Sequence, residues 1–139
     1  MLCENTYPKA YLNECRAKVE AQVSAYRALL AAAKKSVADK AVADFEPHYF
    51  NNLLLALDAH FVNRARGKEL KDGNPLNEAR MLCNALMNNH GVLAADKTIK
   101  YDPATSVLKY GIGEPVRLTE DAFVRVATAY LDEIAKKYR

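Results

Sequence analysis

The sequence predicts a mainly α fold: about four helices in a bundle-like single domain over residues 1–139, with a small two-stranded β appendage before the last helix. Three observations predict it. Apolar residues recur at steps of three or four along four stretches, which is the spacing of an amphipathic helix. Cap and stop residues bracket two of those stretches. Between the third and fourth, the pattern switches to short alternating segments punctuated by Pro and Gly. With 139 residues, 50% hydrophobic and 27% charged, and only five Gly and five Pro, the chain has globular composition and no low-complexity linker.

The first helix is predicted from Pro8 to about Val37, with Leu12, Cys15, Val19, Val23, Tyr26, Leu30, Ala33 and Val37 forming its stripe. Thr6 is placed to cap it and Pro8 to occupy its first turn, where a missing N–H costs nothing. A helix of about 28 residues would run roughly 42 Å, longer than one domain of this size needs, so it is expected to overhang and find a partner.

The second helix is predicted to start near Asp44 to Pro47 and to end at Gly67, a residue suited to the left-handed position that follows a helix. Phe50, Leu53, Leu54, Leu57 and Phe61 share one face, while Leu55 and Val62 lie nearly opposite. A helix apolar on two sides is central or sits at an interface. Asn74-Pro75 opens the third, with Asn as cap and Pro at the first position. Leu76, Ala79, Leu82, Cys83 and Leu86 are its stripe, and His90-Gly91 ends it. "TIKY" and "PVRL" then read as two short paired strands, with a turn of helix between them. Thr119 caps the last helix, with Glu120 and Asp121 at its start and Lys136, Lys137 and Arg139 at its end, both placements favoured by the helix dipole.

A net charge of +3 is too weak a field to argue for nucleic acid or an anionic membrane. A nucleic-acid-binding module ranks last among the readings, because aromatic interleaving and a basic stripe are missing. The longest apolar run, Leu53 to Leu57, is far short of the roughly 20 residues a membrane span requires. Three cysteines form no CxxC pair, and "MLCENTYPKAYLNECR" shows no basic-then-apolar leader pattern, so a reducing cytoplasm is expected.

No cofactor or nucleophile motif occurs: GxGxxG, Walker A, GxSxG and HExxH are all missing, and no cofactor or metal is expected. His48 and His60 are about 120° apart around one helix and do not converge. Cys83, on an apolar stripe, reads as a small buried hydrophobe. Asp58 sits beside the apolar face, where a solvated or Arg-paired carboxylate is the expectation.

Two features carry candidate chemistry. Asn51, Asn52, Asn63, Asn74, Asn77, Asn84, Asn88 and Asn89 crowd the central third. Asn is a poor helix former, so these amides should bond something specific. An inter-helix polar seam is the favoured reading, and a small polar ligand is the alternative. The second feature is "HFVNRARGKELKDGNPLNEAR", His60 to Arg80. Orphan N–H groups where the third helix starts, with Arg64 and Arg66 nearby, suit an anion. The favoured reading is a capped, solvated turn, because Pro75 removes a donor, Asn74 satisfies another, and Arg64 and Arg66 oppose a helix dipole. If a ligand binds, the candidate residues are Asn52, Arg64, Arg66, Asn77, Arg80 and Asn84, around a pocket between the second and third helices. The function expected first is a non-catalytic cytoplasmic protein acting as a homodimer through the first helix or the second face of the next. The alternative is a protein or enzyme that binds a small polar or anionic ligand.

Overall fold

Apolar periodicity becomes helix wherever it was strong. The computed structural model describes residues 3–33 and 39–139, and among these are five helices: α1 (Lys9–Ala33), α2 (Asp39–Ala59), α3 (Arg66–Glu69), α4 (Pro75–Asn88) and α5 (Glu120–Lys137). None of the described helices is long and apolar enough to cross a membrane. The predicted end of the first helix at Val37 lies outside the described residues. Its start is two residues later than a Thr6 cap implies, because Pro8 directly precedes the first helical residue and its carbonyl accepts the Leu12 N–H at 3.1 Å.

Helices α2 and α5 are the central pair. Each packs on the other and on both α1 and α4. Phe50, Leu53, Leu54, Leu57 and Phe61 are buried as expected, Leu55 is half-buried, and Val62 is exposed beyond the helix end. Of the second apolar face, Leu55 is thus partly covered by the neighbours of α2, and Val62 is left in solvent. Helix α5 supplies Phe123, Val126, Tyr130, Leu131 and Ile134 from one stripe. Burying each large apolar side chain contributes about 1.5–3 kcal/mol, which makes this seam the main source of stability.

Two boundaries of α2 differ from expectation. It begins at Asp39 and carries Pro47 in its interior, although a Pro there removes a hydrogen bond and crowds the preceding turn. The residues before Pro47 are held by contacts sequence pattern does not reveal. Phe45 stacks on Tyr49, and the Glu46 carboxylate accepts the Glu120 N–H at 2.8 Å, assisting the Thr119 cap of α5. At its other end the helix stops at Ala59, not Gly67. Short turn bonds from the N–H groups of His60, Phe61 and Arg64 to carbonyls three residues back reverse the chain, sending Phe61 and Arg64 inward. Gly67 falls within α3.

Helix α4 runs as its caps dictate. The Asn74 side chain accepts the N–H groups of Leu76 and Asn77, and left-handed His90 and Gly91 follow the helix. The two-stranded appendage is not formed, and no sheet occurs among the described residues. Residues 113–116 instead return to 91–93: the Leu93 N–H donates to Glu114 O, the Gly113 N–H to Leu93 O, and the Val116 N–H to Gly91 O. The ladder stops at one bridge, Val92 to Pro115, because the Gly91 N–H that would extend it donates to Ala85 O instead. The next groups are taken by a side chain, because Asn51 donates to Val116 O and accepts from the Leu118 N–H, both at 3.1 Å.

Candidate functional site

The stretch from His60 to Arg80 folds around a carboxylate of its own. Arg64, turned inward by the end of α2, is 2% exposed, and Glu69 at the end of α3 is 0% exposed. An ion so placed is tolerable only with close partners. Glu69 has several. Arg80 from α4 grips it side-on, Nε to Oε2 at 2.9 Å and Nη2 to Oε1 at 2.7 Å. Arg64 Nε donates to Oε1 and Asn77 Nδ2 to Oε2 at 3.0 Å, while Arg66 stands at 3.8 Å. Burial pushes the Glu69 carboxyl up, but the hydrogen bonds and charges of Arg80 and Arg64 outweigh it and hold its pKa at about 2.

The network continues through Arg64. Its Nη1 donates to Asp58 Oδ1 at 2.8 Å, to Phe61 O at 3.1 Å and to Tyr130 Oη at 3.0 Å, and Tyr130 in turn donates to Asp58 at 3.0 Å. Asp58 is thus Arg-paired. Arg64 Nη2 is buried with no partner among the described residues. Burial works against the guanidinium charge, but Tyr130, Asp58 and Glu69 over-compensate and its pKa is raised. Nearby, burial pushes the Cys83 thiol up to about 12 and Tyr138 up to about 12, and Tyr130 is pushed well above its usual value.

Main-chain groups of the same turn are tied down too. Glu69 O accepts from Lys137 Nζ at 3.0 Å and Asn74 Nδ2 at 2.7 Å, and Tyr138 Oη donates to Ala65 O at 2.8 Å. Asn77 also donates to Leu70 O and accepts the Gly73 N–H. Gly73 has φ +88°, and a Cβ there would run into the Lys100 carbonyl, so only glycine lets the two loops meet. Leu70, with φ 65° and ψ −173°, adopts a backbone region otherwise reserved for glycine, while its side chain stays half in solvent.

Of the six candidate residues, Arg64, Asn77 and Arg80 converge on Glu69. Arg66 lies at the rim of that cluster, 48% exposed. Asn52 faces solvent, as does Asn84, which accepts from Asn88. The asparagines form no continuous inter-helix seam: Asn51 and Asn89 bond loop main chain, Asn74 and Asn77 tie the start of α4 to Glu69 of α3, and Asn63 receives the Tyr7 hydroxyl. Glu69, the hub, is not among the residues the sequence singles out. The signal available was that a guanidinium placed on an inward face requires a carboxylate within reach. Glu78, buried on α4, was also missed. It accepts the N–H groups of Val107 and Leu108 at 2.7 and 2.9 Å and so fixes the 102–110 loop, and burial raises its pKa against those bonds.

Chemically, the cluster is a set of groups held away from neutrality: a carboxyl near 2, a thiol near 12, phenols raised. General acid–base catalysis wants a pKa near the working pH. What the arrangement does is lock α2, α3, α4 and α5 to one another through charge. No protein-family model, curated protein or solved structure matches the chain.

Proposed function

We propose that the protein is a non-catalytic helical protein that acts as a homodimer, joined through the exposed ends of α1 and α2. One observation carries this reading. The antiparallel α1–α2 pair, aligned by the Tyr26–Tyr49 stack and the Tyr49 hydroxyl on Gln22 O, extends past the point where Arg27 and Glu46 meet Glu120 of α5. Beyond it, no described residue is fully buried, and Leu29 and Phe45 are 51% and 45% exposed. Two such pairs related by a two-fold axis would give each other the apolar neighbours they lack, as in a four-helix arrangement.

The free thiols of Cys3, Cys15 and Cys83 support a cytoplasmic location. The alternative, a small polar or anionic ligand among Asn52, Arg64, Arg66, Asn77, Arg80 and Asn84, keeps support only at Arg66, because Glu69 already occupies the other guanidiniums and Asn52 and Asn84 stand apart.

Light scattering at micromolar concentration tests the proposal. A mass of twice the 15.5 kDa chain is expected, collapsing to that of one chain in the Leu29→Asp, Phe45→Asp double variant. A monomeric wild type, or a double variant that still dimerises, overturns it.

A further inference from the structure

At the other end of α1 the surface is built differently. A cleft of about 610 Å³ opens between the start of α1 and the end of α5, a size within the roughly 300–1,000 Å³ of small-molecule sites. Its walls are apolar: Leu12, Ile134 and the rings of Tyr7 and Tyr138, which stand 5.6 Å apart. Both phenol hydroxyls are engaged elsewhere, Tyr7 on Asn63 and Tyr138 on Ala65 O, so the rings contribute face and edge rather than donors. Its rim is cationic. Lys9, Arg16 and Arg139 line it, and among the described residues no carboxylate side chain does. Arg16 is paired outward with Asp132 at 2.9 Å. Lys9 and Arg139 are exposed and have no ion-pair partner among the described residues.

From this geometry we infer that the cleft binds an amphipathic monoanion, its apolar tail over Leu12 and the Tyr7 ring, above the buried Ile134, and its carboxylate-type head between Lys9 and Arg139. Two properties exclude the simpler ligands. A small inorganic anion leaves the half-exposed Leu12 and Tyr7 in water. An uncharged hydrocarbon leaves the rim cations without a counter-charge and gains nothing from them. An anionic head on a tail of several carbons satisfies both surfaces at once. The site is independent of self-association, since Leu29 and Phe45 lie at the far end of α1 and α2.

Octanoate is the probe, with 1-octanol carrying the same tail without charge and acetate the same head without a tail. Binding is followed by the methyl resonances of Ile134 and Leu12. Octanoate is expected to shift them saturably at millimolar concentration or below, with 1-octanol and acetate each weaker by about tenfold or more. Lys9→Gln with Arg139→Gln should weaken octanoate by about tenfold and leave 1-octanol unchanged, because only the charged contact is lost. Both residues are exposed, so the fold is not at risk. The inference is overturned if octanoate leaves the two methyls unmoved at about 10 mM, if 1-octanol binds as well as octanoate, or if the double variant binds octanoate like wild type.

Discussion

The two ends of the α1–α2 pair follow opposite rules. Where α2 ends, Asp58, Arg64, Glu69, Asn77, Arg80 and Tyr130 form a buried network in which nearly every polar atom has a partner. Where α2 begins, Leu29 and Phe45 stand half in water, and Glu46 and Arg27 are the last ties to α5. Charge taken out of water must be matched atom by atom, so the first end can have only one arrangement. Apolar surface left in water makes no such demand and stays open to a partner. Stability is secured at one end of the two helices, and the proposed association surface lies at the other.

The sharpest way to break that division is Glu69→Gln. It keeps the shape but leaves Arg64 and Arg80 short of a counter-charge, and should cost about 3–5 kcal/mol in urea unfolding. A cost under about 1 kcal/mol would show that the network is not what secures this end. Acid probes the same group without mutation. The folded pKa of Glu69, about 2, is below its usual 4.5, so its contribution is complete above pH 4.5 and is lost as pH falls toward 2. The shift corresponds to about 3 kcal/mol. Wild type should lose that much more than Glu69→Gln between pH 5 and pH 2, and parallel curves would contradict it.

Smaller effects sharpen the contrast. Leu70→Gly relieves a backbone conformation that costs about 1–3 kcal/mol, against a Gly entropy cost of about 0.5–1 kcal/mol. A net gain of about 1 kcal/mol is expected in thermal unfolding, and a loss would mean the half-exposed Leu70 side chain packs more than its position suggests. At the other end, Leu29→Asp should change the monomer's unfolding free energy by no more than about 0.5 kcal/mol, the range of surface substitutions, and Phe45→Asp should cost about 0.5–1.5 kcal/mol for its lost stack on Tyr49. A larger loss would make those residues part of the core.

The helices were legible because their apolar stripes and caps are local: Asn74-Pro75, His90-Gly91 and Thr119 are read from neighbours within one turn. What escaped was decided by distant partners. Pro47 sits inside a helix because Tyr49 and Glu120 hold the residues ahead of it. "PVRL" fails to be a strand because Asn51, 65 residues earlier, takes the groups a ladder would use. In the basic stretch, cations and amide donors suit an anion by residue type. The anion they meet is Glu69, within the same stretch, and nothing in spacing alone distinguishes an internal carboxylate from an external one.

The Glu69 network also limits the paths along which this sequence can change. Asp58, Arg64, Glu69 and Arg80 share hydrogen bonds, so substitutions among them will not be additive. An all-apolar set of similar volume is an allowed end point and in other proteins has been neutral or stabilising. Reaching it one residue at a time passes through states with an unmatched buried charge, each costing about 3–5 kcal/mol from a total stability of about 5–15 kcal/mol. The four positions therefore lie in a valley with high walls: exchange is open to the set and closed to its members, so the network can persist even where a simpler core would serve the fold as well.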